Sequence, residues 1–191
     1  MSTVLQLKDN REQHYARLSP EGSLIPNQKW LACMLASWCE GLGVLPDYLG
    51  LESEQFTALT ACFFPGIALP ERAPSGSVLD YSRMLEKEDL INLLKQYSKA
   101  DTPETTWMIA IIVAGCLGSD HLWQDLGLWQ RSQLSAMLHY NFPKLAAKNT
   151  KDMKWKKFLY KQLCEAEGIT LCRAPSCEVC IDYPNCFGAE E

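Results

Sequence analysis

Residues 102–117 read Thr-Pro-Glu-Thr-Thr-Trp-Met-Ile-Ala-Ile-Ile-Val-Ala-Gly-Cys-Leu, and this stretch decides the fold. Thr102 can cap a helix with its hydroxyl, and Pro103 suits the first helical position, where a backbone N–H is not needed. From Trp107 to Leu117 the stretch is apolar almost without interruption. About eleven residues cannot cross a bilayer, which needs about twenty. The stretch therefore predicts a helix buried at the centre of a bundle.

On both sides of this central helix, apolar residues recur at three- and four-residue spacing, which is typical of amphipathic helices. Such helices are predicted over residues 27–40, 53–64, 81–98, 134–142 and 153–167. Asn27 and Ser53 are the predicted caps of the first two, and Pro143 either breaks a helix or opens a short one. No segment alternates like a strand for long. The sequence therefore predicts an all-α, bundle-like domain.

This pattern divides the chain into three segments. Residues 1–26 are polar and carry Pro20, Gly22 and Pro26, which predicts a loosely ordered N-terminal arm or a short edge helix. Residues 27–168 form the helical domain, in which 65–77 are rich in proline and glycine and predict a loop. Residues 169–191 form a cysteine-rich tail. A chain of 191 residues is long enough for one core with such an appendage.

Charge, the N-terminal sequence and the absence of catalytic motifs limit the classes of function that we expect. The formal net charge of −5 does not favour nucleic acid as a partner. The first twenty residues contain no apolar segment typical of a signal peptide, so we expect a cytoplasmic protein with reduced thiols and no membrane anchor. We find no Ser/His/Asp grouping, phosphate-binding glycine loop or paired catalytic carboxylates, and therefore expect no enzymatic turnover.

The tail holds the strongest candidate site. Cys172, Cys177, Cys180 and Cys186 follow the pattern Cys-x4-Cys-x2-Cys-x5-Cys. Thiolates are soft ligands, and four on a short loop can converge on one metal centre. Disulfides would need an oxidising compartment, whereas a zinc knuckle stays open as an alternative. Zinc sites usually pair two short Cys-x2–4-Cys units, and a pair flanked by single cysteines is closer to iron–sulfur loops. The tail therefore predicts a metal or iron–sulfur site.

A lysine-rich helix precedes the tail. Lys154, Lys157 and Lys161 share one side of the last predicted helix, and Cys164 falls among them. They form either a solvated charged face or a positive surface that offsets a thiolate-ligated cluster and attracts an anion. Cys164 and His121, which lies at a helix-breaking turn, are additional candidate metal ligands.

These residues together resemble the NifQ family of nitrogen-fixation proteins, whose signature is the same Cys-x4-Cys-x2-Cys-x5-Cys. The similarity covers about residues 120–188. It includes His121-Leu-Trp-Gln-Asp-Leu-Gly-Leu, Phe142-Pro-Lys-Leu, Met153-Lys-Trp-Lys-Lys-Phe and Gln162-Leu-Cys-Glu.

The resemblance implies a role in making the iron–molybdenum cofactor of nitrogenase. NifQ-like proteins carry a molybdenum–iron–sulfur cluster and supply molybdenum to the assembly scaffold, so the implied partners are the NifEN scaffold complex and the NifH reductase. Molybdate is the implied metal source, and as a dianion it would be attracted by the lysine surface. Three thiolates suffice for the irons of a cuboidal unit, which leaves the fourth, Cys164 or His121 as the candidate ligand of molybdenum.

Two alternative functions would also use the four tail cysteines. A small iron–sulfur electron carrier would hold iron without molybdenum, and a zinc-stapled helical interaction module would be colourless. Metal analysis separates the three.

Overall fold

The computed structural model describes residues 3–19, 25–69, 80–84, 86–166, 168 and 183–187. Within these residues every regular element is helical, which confirms the predicted all-α class. The α-helices are α1 (Thr3–Leu18), α2 (Pro26–Cys39), α3 (Ser53–Phe63), α4 (Lys87–Gln96), α5 (Pro103–Cys116), α6 (Leu122–Asp125), α7 (Arg131–Asn141), α8 (Pro143–Ala146), α9 (Trp155–Ala166) and α10 (Tyr183–Phe187). No described helix is long and apolar enough to cross a membrane.

Helix α5 is the predicted central helix. The Thr102 hydroxyl accepts a hydrogen bond from the Thr105 N–H at 3.3 Å, so the predicted cap is confirmed. Met108, Ile111 and Ile112 are completely buried. Because α5 contacts α3, α4 and α6, it is the element around which the core is built.

The N-terminal segment holds a helix rather than a loose arm. Helix α1 is sixteen residues long and packs on α2. Leu18 is fully buried, and the Tyr15 and Trp129 rings lie 5.1 Å apart between centroids. His14 Nε2 also lies 2.9 Å from the Glu40 carboxylate. The edge-helix alternative therefore describes α1 better, although the charged residues of its sequence hid its length.

The predicted caps of α2 and α3 were wrong. Asn27 lies inside α2, where its buried side chain exchanges hydrogen bonds of 2.9 and 2.7 Å with Asn141. Ser53 is the first residue of α3, and Glu52 is its cap, in a capping box with Gln55. Asn27 is held in the core by Asn141, whereas the capping box of Glu52 and Gln55 takes the role predicted for Ser53.

Other helix limits differ by a few residues from the predictions. The stretch predicted as one helix over 81–98 is a 3-10 turn, Tyr81–Arg83, followed by α4. Pro143 opens a short helix, the second of the two alternatives. On α9, Trp155, Phe158, Leu159 and Leu163 are buried as predicted, whereas Ala166 is exposed. Most of the predicted 65–77 loop lies outside the described residues.

Two glycines allow α6 to pack closely against the end of α2. Gly43 has φ +83°, and a Cβ atom there would lie 2.7 Å from the Asp125 carbonyl oxygen. Gly127 has φ +74°, and a Cβ atom there would lie 2.8 Å from Cβ of Ser37. Both conformations favour glycine. The Val44 N–H donates to the Asp125 carbonyl at 2.9 Å, so this contact fixes the backbone of α6.

Candidate metal centre

The structure describes only one of the four tail cysteines. Cys172, Cys177 and Cys180 lie outside the described residues, whereas Cys186 lies in α10. The described residues contain no group of three or more His, Cys, Asp or Glu side chains arranged to hold a metal ion. With three of the four predicted ligands outside the described ranges, the ligand set stays a prediction.

Helix α10 is attached to the beginning of α9. The Lys154 N–H, one residue before α9, donates to the Cys186 carbonyl oxygen at 2.8 Å. Backbone N–H groups at the start of a helix have no partner within it, so this bond satisfies one of them. Cys186 and Phe187 are also partly buried against the core. The last cysteine of the signature is therefore held at the N-terminal end of the lysine-rich helix.

A cleft of about 440 Å³ opens beside α10. It lies between Phe187, the loop that leads into α9, and one side of α9. Among the described residues that line it are Lys148, Lys151 and Lys161 and one acidic residue, Glu165. The net charge of these described lining residues is positive although the chain as a whole is acidic. This charge suits an anion beside a thiolate site.

The three lysines predicted to steer an anion occupy different environments. Lys157 and Lys161 are exposed, and Lys154 is half-buried. Lys161 lines the cleft and lies 3.5 Å from the Glu165 carboxylate, an exposed pair that water screens. Lys148 donates to the Tyr97 hydroxyl at 2.6 Å. The sequence did not single out Lys148 or Lys151 as cleft residues, because their position depends on the loop before α9.

Lys156 has a role that the sequence analysis missed. Its ammonium group pairs with the carboxylate of Asp125, a residue only 1% exposed, and donates to the Gly118 carbonyl at 2.8 Å. Lys156 shares a helix face with Leu159 and Leu163 at spacings of three and seven residues, a signal that could have predicted its burial. The pair joins α9 to α6, so two of the four segments quoted for the family resemblance, those that begin at His121 and Met153, are in direct contact.

Cys116 lies close to this ion pair. Burial raises the pKa of its thiol to about 12, while Lys156 acts in the opposite direction. The thiol is therefore neutral at physiological pH and lacks the nucleophilic thiolate form. Burial likewise raises the pKa of Cys33 to about 11. Both residues are small core side chains, which is the usual role of a buried free cysteine.

The two additional candidate ligands lie on separate elements. Cys164 is partly buried on α9. His121 caps α6 in a capping box, and its backbone N–H donates to the Gln124 side chain at 3.2 Å. This capping role is a structural reason for a histidine at position 121, and metal ligation by either residue stays a prediction.

The described residues define a class: an all-α protein in which Cys186, the last signature cysteine, is held at the start of a lysine-rich helix. A profile of the NifQ family matches residues 30–188, which include all four signature cysteines. The chain belongs to the NifQ family, and so to the nitrogen-fixation proteins.

Several relatives are similar over most of their length. Protein NifQ of Azotobacter vinelandii is 44% identical over 174 residues, which cover 86% of this chain and 89% of the relative. Protein NifQ of Rhodobacter capsulatus is 36% identical over 163 residues, or 84% and 87% of the two chains. Protein NifQ of Klebsiella pneumoniae is 32% identical over 85% of this chain and 99% of its own. No solved structure matches the chain.

Proposed function

We propose that this protein carries molybdenum with an iron–sulfur cluster on its C-terminal thiolates and supplies it for the nitrogenase iron–molybdenum cofactor. The partners are the NifEN scaffold complex and the NifH reductase, met in the cytoplasm. The chain acts as a metal donor rather than as an enzyme. The observation that carries the proposal is the attachment of the Cys186 segment to the start of the lysine-rich helix α9.

The donor chemistry fits this cargo. Cys172, Cys177, Cys180 and Cys186 would hold the metals, since thiolates suit iron–sulfur clusters. Each thiolate adds a negative charge, and the lysines at the adjacent cleft offset it. The Lys154–Cys186 backbone bond keeps one ligand-bearing element fixed while the cargo is loaded and released.

The same surface suits the metal source. Molybdate arrives as a dianion. Lys157 and Lys161 lie on α9, and Lys154 directly precedes it and bonds to Cys186 through its backbone N–H. Clustered charge of one sign raises the local concentration and the encounter rate of an opposite ion. The lysines therefore steer molybdate towards the thiolates.

The test is a set of single Cys→Ser variants at positions 172, 177, 180 and 186, purified without oxygen from a molybdate-fed host. Each is expected to lose iron and molybdenum together, because a cluster with a missing ligand is held less firmly. Cys62→Ser is the matched control, since Cys62 is an exposed thiol on α3, outside the signature. Unchanged iron and molybdenum in all four tail variants would contradict the proposal.

A further inference from the structure

The cleft beside α10 carries three exposed lysines from two different parts of the chain. Lys148 and Lys151 line it from the loop before α9, and Lys161 lines it from α9 itself. We call these three residues the lysine rim. Because all three are exposed, their ammonium groups are accessible to a partner, and their shared position concentrates positive charge on an acidic protein.

The charge of the lysine rim is only partly neutralised by the described residues around it. One of its members lies 3.5 Å from the Glu165 carboxylate. Lys148 donates to a neutral hydroxyl group, and neither it nor Lys151 forms an ion pair with a described carboxylate. Asp152 follows in the same loop, but its carboxylate pairs with Arg131 at 2.7 Å. The rim therefore keeps a net positive charge that a negatively charged partner can use.

The lysine rim adjoins the element that carries Cys186. Phe187, the next residue of α10, lines the same cleft and is partly buried against the core. Met153 and Phe158 line it as well, so the cleft combines an apolar lining with charged edges. Protein–protein contacts commonly place an anchor side chain in such an apolar centre and surround it with polar groups. A protein that docks here is brought next to the last signature cysteine.

We propose that the lysine rim docks an acidic segment of the protein that accepts the molybdenum, with an apolar side chain of that segment in the cleft. Complementary charge speeds the encounter of two proteins and fixes their relative orientation. The apolar lining favours a protein segment over nucleic acid, and the net charge of −5 repels a long polyanion. Docking at the rim rests on the proposed function, since the partner is the acceptor of the cargo.

Docking and cargo can nevertheless be measured separately. Lys148 and Lys151 are neither signature cysteines nor lysines predicted to steer molybdate, so their replacement should leave the iron and molybdenum content unchanged. Metal analysis reports on the cargo, whereas affinity for the acceptor reports on docking. A protein that docks through the rim but holds no molybdenum contradicts the proposed function alone. One that holds molybdenum but docks independently of the rim contradicts only the docking surface.

The test is biolayer interferometry of the full-length, metal-loaded protein with the NifEN complex, without oxygen and at low ionic strength. The double variant Lys148→Gln, Lys151→Gln is expected to bind roughly tenfold more weakly, mainly through slower association, and the difference should shrink at high salt. Lys151→Gln alone should have a smaller effect, and it keeps the Lys148–Tyr97 hydrogen bond. The matched control, Lys29→Gln with Lys95→Gln, removes the same charge from exposed positions on α2 and α4 and should bind like the wild type.

Carbodiimide crosslinking of the same mixture locates the contact, because it joins an amine directly to a carboxylate. Crosslinks are expected from the lysine rim to acidic residues of NifEN. Four results would overturn the docking surface: no saturable binding by the wild type, equal affinities of the rim variant and the control, rim crosslinks only to carboxylates of the same chain or of a second copy, and a single-stranded DNA oligonucleotide that binds as tightly as NifEN.

Discussion

At the scale of single residues, Lys156 shows how an element on the surface is fixed in orientation. On α9, Trp155 is buried and Lys157 is exposed. Lys156 lies at the boundary between the buried and exposed faces of the helix, with 17% of its side chain exposed. From there it reaches Asp125 and the Gly118 carbonyl. A Cβ atom at position 118 would overlap the Asp125 carboxylate, at 2.3 Å, so glycine is needed there. The orientation of α9 relative to α6 depends on these few side chains.

We predict that Lys156→Met destabilises the protein by about 3–5 kcal/mol, because it leaves Asp125 buried and unpaired. Urea unfolding measures the change. Lys161→Met is the matched control: its partner Glu165 is exposed, and its loss should cost no more than about 0.5 kcal/mol. The double variant Asp125→Leu, Lys156→Met should recover much of the loss. Equal stabilities of the two single lysine variants would contradict this account of the ion pair.

The role of a residue could be predicted from the sequence when its hydrogen-bond partner is close to it in the chain. Thr102 caps α5 through a neighbour three positions away, and that pattern is visible in the sequence. Asn27 instead bonds to Asn141, which is 114 positions away, so local pattern placed it wrongly at the helix start. The Asp125–Lys156 pair was missed for the same reason, since 31 positions separate the two residues.

At the scale of elements, the described part of the candidate site rests on the contact between α10 and α9. A backbone hydrogen bond from the Lys154 N–H to the Cys186 carbonyl fixes the position of α10 relative to the start of α9. Phe187 adds an apolar contact in the cleft that Met153 and Phe158 also line. Because α10 has only five residues, its position must depend on such contacts rather than on helical propensity.

We predict that Phe187→Ala loosens this contact. Loss of a partly buried aromatic side chain costs about 1–2 kcal/mol locally, so the Lys154 amide should exchange its hydrogen roughly 5–30-fold faster. Hydrogen exchange followed by NMR measures this. The Phe142 amide, which donates to the Leu138 carbonyl at 2.8 Å, is the internal reference, and Phe187→Leu is the conservative control. An unaltered Lys154 rate would mean that Phe187 does not hold α10.

The elements that sequence predicted well are those with an unbroken apolar pattern. Helix α5 is the example, since almost all of it is buried. Helix α1 was underestimated because its sequence is rich in charged and polar residues, although Tyr15 and Leu18 pack against the core. The cysteine spacing predicted a metal site but not its location. That Cys186 is held at the start of α9 required the tertiary structure.

At the scale of the whole molecule, charge is unevenly distributed. The chain carries a net −5, yet seven lysines lie between positions 144 and 161. This places a positive surface beside the attachment point of the cysteine segment on an otherwise acidic protein. The proposed function needs that asymmetry, because both an anionic metal source and a thiolate cluster are negative.

We predict that the triple variant Lys154→Gln, Lys157→Gln, Lys161→Gln loads molybdenum from molybdate several-fold more slowly. The effect should shrink at high salt, where the Debye length falls to about 3 Å at 1 M. The matched control removes three exposed cations from other helices: Arg17→Gln, Lys29→Gln and Lys95→Gln. Time-resolved molybdenum analysis at two salt concentrations measures the rates. Equal loading by both triple variants would contradict local steering and leave only net charge as a cause.

The proposed function requires that the C-terminal thiolates hold a molybdenum–iron–sulfur cargo. The most direct test is quantitative analysis of iron, molybdenum, zinc and acid-labile sulfide in the wild-type protein, isolated without oxygen from a molybdate-fed host. Iron, molybdenum and sulfide are expected together, with zinc at background. Iron and sulfide without molybdenum would indicate an electron carrier, and zinc alone would indicate a structural staple; either result contradicts the claim.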